Sequence, residues 1–197
     1  MRLAPLALVL GGLALAGGVP ALAQDLEAGR EVAGQCRTCH GLDGLARMPQ
    51  APNIGGEPAA YLEAQLRAFR EGTRVHEMMS VVAASLNDGQ IRDVAAWYAA
   101  HAAVATLGAD PSGAPETCAA CHGADGIALV PDAPNLAGEP TIYLLEQLKA
   151  FASGRREHEA MTPIASALTE AEMRAAAEWY GAVTLAVEPP EGAPGGG

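Results

Sequence analysis

Cys36-Arg37-Thr38-Cys39-His40 and Cys118-Ala119-Ala120-Cys121-His122 are two copies of one pattern, C-x-x-C-H. Two thiols three positions apart can each form a thioether to the edge of a porphyrin while the imidazole that follows at once reaches the iron, so the pattern reads as c-type haem attachment. Two copies imply two haem c groups, with Cys36, Cys39, Cys118 and Cys121 as covalent anchors and His40 and His122 as iron ligands. C-x-x-C pairs also hold structural zinc or form redox dithiols. Here each histidine touches its own second cysteine, the pairs lie 82 residues apart, and no βαβ pattern surrounds them, so both readings lose to haem. All four cysteines of the chain belong to the motifs.

The same spacing organises the whole chain. Shifted by 82 residues, 36–98 align with 118–180 without a gap, and 31 of the 63 paired positions are identical. A period this long, with a complete motif in each copy, is a tandem duplication of one domain rather than a solenoid. Within each copy a turn-rich exit follows the motif (Gly41-Leu42-Asp43-Gly44, Gly123-Ala124-Asp125-Gly126), and then a loop that proline keeps out of a helix (Ala51-Pro52-Asn53, Ala133-Pro134-Asn135). A helix with Pro58 or Pro140 in its first turn runs to near Gly72 or Gly154 and buries Tyr61, Leu62, Gln65, Leu66 and Phe69, or Tyr143, Leu144, Gln147, Leu148 and Phe151. A last helix opens at Asn87 or at Thr169, the latter with Glu172 completing a capping box, and carries Trp97-Tyr98 or Trp179-Tyr180. No strand-like alternation is visible, so the fold class is all-α.

The repeat also selects a second iron ligand. Met78 and Met79 are adjacent, but only Met79 has a counterpart, Met161, under the 82-residue shift; Met78 pairs with Ala160. Met79 and Met161 are therefore the expected sixth ligands, and a thioether there raises the potential and favours electron transfer over oxygen or peroxide chemistry. His76 and His158 are the rivals and fit better near the haem edge or the surface. Arg74 and Arg156 are candidates for pairing with propionates. Trp97 and Trp179 read as packing residues, and His101, without a counterpart, reads as surface.

Residues 1–23 read as a cleaved secretory signal peptide: Arg2, an apolar run from Leu3, then Ala21-Leu22-Ala23 as a small-x-small cleavage site. Glycines and Pro20 interrupt the run, against a membrane anchor. Export to an oxidising compartment, the periplasm, follows. With 12 basic against 23 acidic side chains and a formal net charge of −11, nucleic acid is excluded as a partner, and a basic patch on another protein is favoured. The chain divides into domain 1 (24–103), a linker rich in Gly and Pro (104–115), domain 2 (116–187) and a disordered tail (188–197).

The haem motif, proline loop, late methionine and aromatic final helix resemble the class I cytochrome c fold, and the tandem arrangement is similar to the dihaem cytochrome c4 family over residues 25–183. The resemblance implies His/Met ligation of each iron and a proline carbonyl bonded to the other nitrogen of the axial histidine, Pro52 to His40 and Pro134 to His122, a contact that fixes the ring. It also implies electron shuttling in the bacterial periplasm, often toward a terminal oxidase. One departure is plain: Asp25 to Gln35 supplies the family's N-terminal helix in the first copy, whereas the second has only the Gly- and Pro-rich stretch before Cys118, which puts the usual face-to-face pairing of domains in doubt. The expected function is a periplasmic dihaem carrier of single electrons, not an enzyme, between a donor dehydrogenase or membrane complex and an acceptor oxidase or reductase. The alternative is a haem-bearing subunit of a periplasmic dehydrogenase, for example a flavoprotein oxidising a sulfur compound. A dihaem peroxidase requires an open sixth position, which two matched methionines oppose.

Overall fold

A computed structural model describes residues 25–190. The expected leader at 1–23 with its cleavage site near Ala23, and the tail beyond residue 190, lie outside the described residues.

In the first domain α1 (Leu26–Ala33) starts where the Asp25 carboxylate accepts from the backbone N–H groups of Glu27 and Ala28. It crosses α5 (Asp88–Ala99) at Gly29, where a Cβ would collide with the Asp93 carbonyl and meet the Trp97 Cβ at 3.0 Å. Between them lie α2 (Arg37–His40), α3 (Ala59–Glu71) and α4 (Met79–Ala84). α3 follows Pro58 and stops at Gly72, whose φ of 79° few other residues tolerate. Asn87 and Gln90 form a capping box on α5, the counterpart of the one expected at Thr169. The core gathers Val32, Ala33, Leu62, Leu86, Ile91, Val94, Ala95, Trp97 and Tyr98.

The second domain repeats the plan with α6 (Glu116–His122), α7 (Thr141–Ala152), α8 (Met161–Ala167) and α9 (Glu170–Gly181), the last opened by the Thr169–Glu172 capping box. At its centre Leu144, Ala177 and Tyr180 pack together, with Cys118, Leu136, Tyr143, Leu145 and Trp179 around them, and Phe151, Met173 and Val183 are buried as well. In place of α1 it has a single 3-10 turn, Pro111–Gly113, with Gly113 set against the Trp179 ring: a Cβ there would stand 3.1 Å from Cζ3.

The described residues are mostly helical, with one departure among them from the all-α expectation. β1 (Ala102–Thr106) and β2 (Thr184–Glu188) pair antiparallel, Ala102 opposite Glu188 and Thr106 opposite Thr184. Each strand follows the final helix of its own domain, so the sheet ties the two domains together. The stretch read as linker from 104 thus begins inside a strand, Glu188 is paired rather than part of a free tail, and the helix that carries Trp97-Tyr98 ends at Ala99. His101, expected at the surface, is 5% exposed. Its Nδ1 lies 2.9 Å from the Trp97 carbonyl and its ring stands edge-on to Trp97, so it closes the C-terminus of α5, where carbonyls lack helical partners.

The domains do meet face to face, through reciprocal bonds. Asn53 donates from Nδ2 to the Gly138 carbonyl (2.9 Å), and Asn135 does the same to Gly56 (3.0 Å). The doubt raised by the shortened start of domain 2 is removed because loops and α3/α7, not the N-terminal helix, make the contact.

Candidate functional site

His40 closes α2 and His122 closes α6, and both are buried, at 7% and 6% exposure. The chain leaves each helix through a glycine of positive φ, Gly41 (73°) and Gly123 (72°). It then loops round so that Pro52 O lies 2.9 Å from His40 Nδ1 and Pro134 O lies 2.9 Å from His122 Nδ1. A carbonyl only accepts, so the proton sits on Nδ1 and the lone pair on Nε2 is left to bind a metal. Burial pushes both histidines below their ordinary range, against the proline hydrogen bond, so both rings are held neutral.

The proline loops are braced twice over. Asn53 Oδ1 accepts from Ala46 N–H (2.9 Å) and Asn135 Oδ1 from Ala128 N–H (3.0 Å). From the final helices, Trp97 Nε1 donates to the Leu42 carbonyl and Tyr98 Oη to that of Gly41, while Trp179 and Tyr180 do the same for Ala124 and Gly123. The tryptophans therefore serve as packing and bracing groups.

Cys36, Cys39, Cys118 and Cys121 are half-buried and not joined as disulfides. Burial pushes the Cys36 thiol up to about 11, with a Tyr98 hydrogen bond opposing and Cys39 adding to the shift; burial also raises Cys118. A redox dithiol needs the opposite shift in its attacking thiol. Among the described residues no three His, Cys, Asp or Glu side chains are gathered as a zinc site would require.

Met79 is the first residue of α4 and Met161 the first of α8, both half-buried, whereas Met78 is 60% exposed. The exposed His76 accepts on Nδ1 from the Met79 N–H (3.3 Å), and His158 from that of Met161 (3.3 Å). The rival histidines thus cap the helices that carry the methionines. Arg74 and Arg156 turn to the domain seam: each stacks on its own phenylalanine, Phe69 or Phe151, and bonds both Gln65 and Gln147. A polar cleft of about 300 Å³ opens beside them.

Two residues of this region carried no expectation. Glu57 and Glu139 are buried, at 4% and 3% exposure. Glu57 Oε2 accepts from the backbone of Asn135, and Glu139 Oε2 from that of Asn53. Their signal was available: the Gly-Glu-Pro triplet is identical in both copies, which a merely exposed acid at a helix start has no reason to be.

The family model described as cytochrome c oxidase, cbb3-type, subunit III matches twice, over residues 23–97 and 114–179. Cytochrome c4 of Pseudomonas aeruginosa is 30% identical over 81% of this chain and 84% of its own. The chain belongs to the dihaem cytochrome c4 family. Reduced cytochrome c4 from Pseudomonas stutzeri, a solved structure, superposes with a TM-score of 0.70 at 25% identity, covering 82% of this chain and all of that one. This cytochrome is also similar to the thiosulfate dehydrogenase electron acceptor of Stutzerimonas stutzeri, 34% identical over 74% of this chain and 77% of its relative. The family carries haem c, and the donors here fit it: each domain offers two thiols, a neutral imidazole with a free Nε2, and a half-buried thioether. The protein is a dihaem electron-transfer cytochrome.

Proposed function

We propose that this cytochrome is an exported, periplasmic carrier of single electrons with no substrate chemistry of its own. Cys36 and Cys39 with Cys118 and Cys121 would anchor the two haems, and His40 with Met79 and His122 with Met161 would ligate the irons. Bound haem c supplies a reversible one-electron couple. The protein's part is to keep the ligands in place. Pro52 and Pro134 hold the imidazoles with Nε2 free, and the braced loops and capped methionine helices leave little to rearrange between oxidation states. The observation that carries the reading is the duplication of this arrangement, with the same 2.9 Å His–Pro bond in both domains: two matched sites suit a carrier, whereas a dihaem peroxidase needs one site to differ. Among the described residues no helix is long and apolar enough to cross a membrane. The net charge of −11 favours basic docking patches on donor and acceptor.

The test is the far-red spectrum of the ferric protein, where iron–methionine sulfur ligation gives a charge-transfer band, with covalent haem counted in parallel. Two haems and a band of full strength for two sites are expected; half the band would overturn double His/Met ligation, and no covalent haem would overturn the reading. The similarity to a thiosulfate dehydrogenase electron acceptor supports a second reading, in which the donor is a periplasmic dehydrogenase that holds this cytochrome as its haem-bearing subunit. Co-purification with a dehydrogenase chain, and reduction of both haems when that enzyme's substrate is added, would establish it.

A further inference from the structure

The peptide group joining Pro52 to Asn53 has two partners. Its carbonyl accepts from His40 Nδ1 (2.9 Å), and its N–H donates to Glu139 Oε2 of the other domain (3.1 Å). The Pro134–Asn135 peptide is engaged in the same way, by His122 (2.9 Å) and by Glu57 Oε2 of the first domain (3.0 Å). One rigid amide thus lies between each axial histidine and a buried carboxyl contributed by the opposite domain. We propose that Glu57 and Glu139 are positioning residues that tune the haem of the opposite domain through this single peptide group, according to whether they hold a proton. The inference rests on the electron-carrier reading and deepens it.

The physical chain is short. A carboxylate accepting from the amide N–H polarises the amide and makes its carbonyl a stronger acceptor. The stronger Nδ1–H bond makes the imidazole a better donor at Nε2 and favours the ferric state. A protonated carboxyl relaxes that pull and favours the ferrous state, and the direct charge effect has the same sign. When a donor protein delivers an electron, the relay takes up a proton from solvent onto the carboxylate; when the electron leaves, the proton returns to solvent. Charge is balanced at each step, with the redox partners and water as the only other participants.

The surroundings make the proton available near neutral pH. Among the described residues neither glutamate is in an ion pair. Burial pushes Glu57 up to about 8 against its Asn135 hydrogen bond, and burial followed by the charge of Glu57 raises Glu139. Two desolvated carboxyls that feel each other do not both ionise readily, so the pair retains a proton. The other titratable and charged groups around them are Tyr61, which faces Glu57, and Tyr143, Arg74 and Arg156, which face Tyr61; the buried His101 and exposed Glu188 flank the sheet.

Spectroelectrochemistry of the holoprotein across pH tests the idea. The wild-type midpoint potentials are expected to fall as pH rises through the titration of the pair, and Glu57→Gln with Glu139→Gln is expected to abolish the slope and leave the potentials at their acid-limit values. An unchanged slope in the double variant, with two haems and full far-red band, overturns the relay while leaving the carrier reading intact; absence of covalent haem from the wild type overturns the carrier reading instead. Should the variants fail to mature, proton NMR of the ferrous wild-type protein decides. The Nδ1–H resonances of His40 and His122 are expected to shift with pH together, and resonances that ignore pH overturn the proposal. The single Glu139→Gln variant adds the direction: it moves the His40 resonance more than that of His122, and the reverse or equal shifts overturn the crossed assignment.

Discussion

Arg74 donates from Nη2 to the hydroxyl of Tyr143, 3.3 Å away across the domain boundary, and Arg156 stands at the same distance from Tyr61. Each guanidinium also bonds a glutamine from both domains. Removing one takes a donor from both glutamine oxygens, which keep the other arginine, and from one tyrosine hydroxyl, so Arg74→Ala or Arg156→Ala alone should each cost about 1 kcal/mol, whereas removing both leaves Gln65 and Gln147 without either donor. In the double variant the domains should unfold in two calorimetric transitions where the wild type shows one. A single transition in the double variant would mean that the asparagine and sheet contacts alone carry the coupling.

Gly29 is the point of closest approach between α1 and α5. Gly29→Ala forces a methyl into the Asp93 backbone, and overpacking of this kind costs about 1–3 kcal/mol. Gly113→Ala meets only the edge of the Trp179 ring, which can shift slightly, so its cost should be smaller. Denaturant unfolding of the two variants should show this order, with the Gly29 change felt in domain 1.

His76 and His158 cap the helices that begin with the candidate methionine ligands. Loss of a capping interaction costs about 1 kcal/mol. His76→Ala should therefore keep both haems covalently attached while the domain 1 half of the far-red band disappears at a lower denaturant concentration than in the wild type. Met79→Ala should remove that half outright and leave the Met161 half.

The buried glutamates also predict a pH dependence of stability. A carboxyl raised on folding from its ordinary 4.5 to about 8 binds its proton more tightly in the native state. Its contribution is fully present below about 4.5 and is lost as pH rises through about 8. Thermal unfolding from pH 5 to 9 should show a declining limb for the wild type and a flatter one for Glu57→Gln. An equally steep limb in the variant would assign the decline to other groups.

What was legible in the chain beforehand is what depends on neighbours in sequence. The C-x-x-C-H motifs, the proline openings and glycine stops of α3 and α7, and the Thr169 capping box are local patterns whose physics acts over three or four residues. The family followed from their order, because the 82-residue repeat preserves it. The β1–β2 sheet was not legible: Ala102 to Thr106 is made of small residues with little alternation in polarity, and its partner strand lies about eighty residues away. His101 gave no sign of burial, since it has no counterpart in the second copy, and its place against Trp97 shows only in the structure. The proline–histidine bonds entered as an implication of resemblance, and tertiary structure alone shows that the same peptides turn their N–H groups to Glu139 and Glu57. The reason is geometric. Sequence spacing specifies which groups share a helix turn or a loop, whereas a contact between domains depends on how two complete folds dock, and no local pattern encodes that docking.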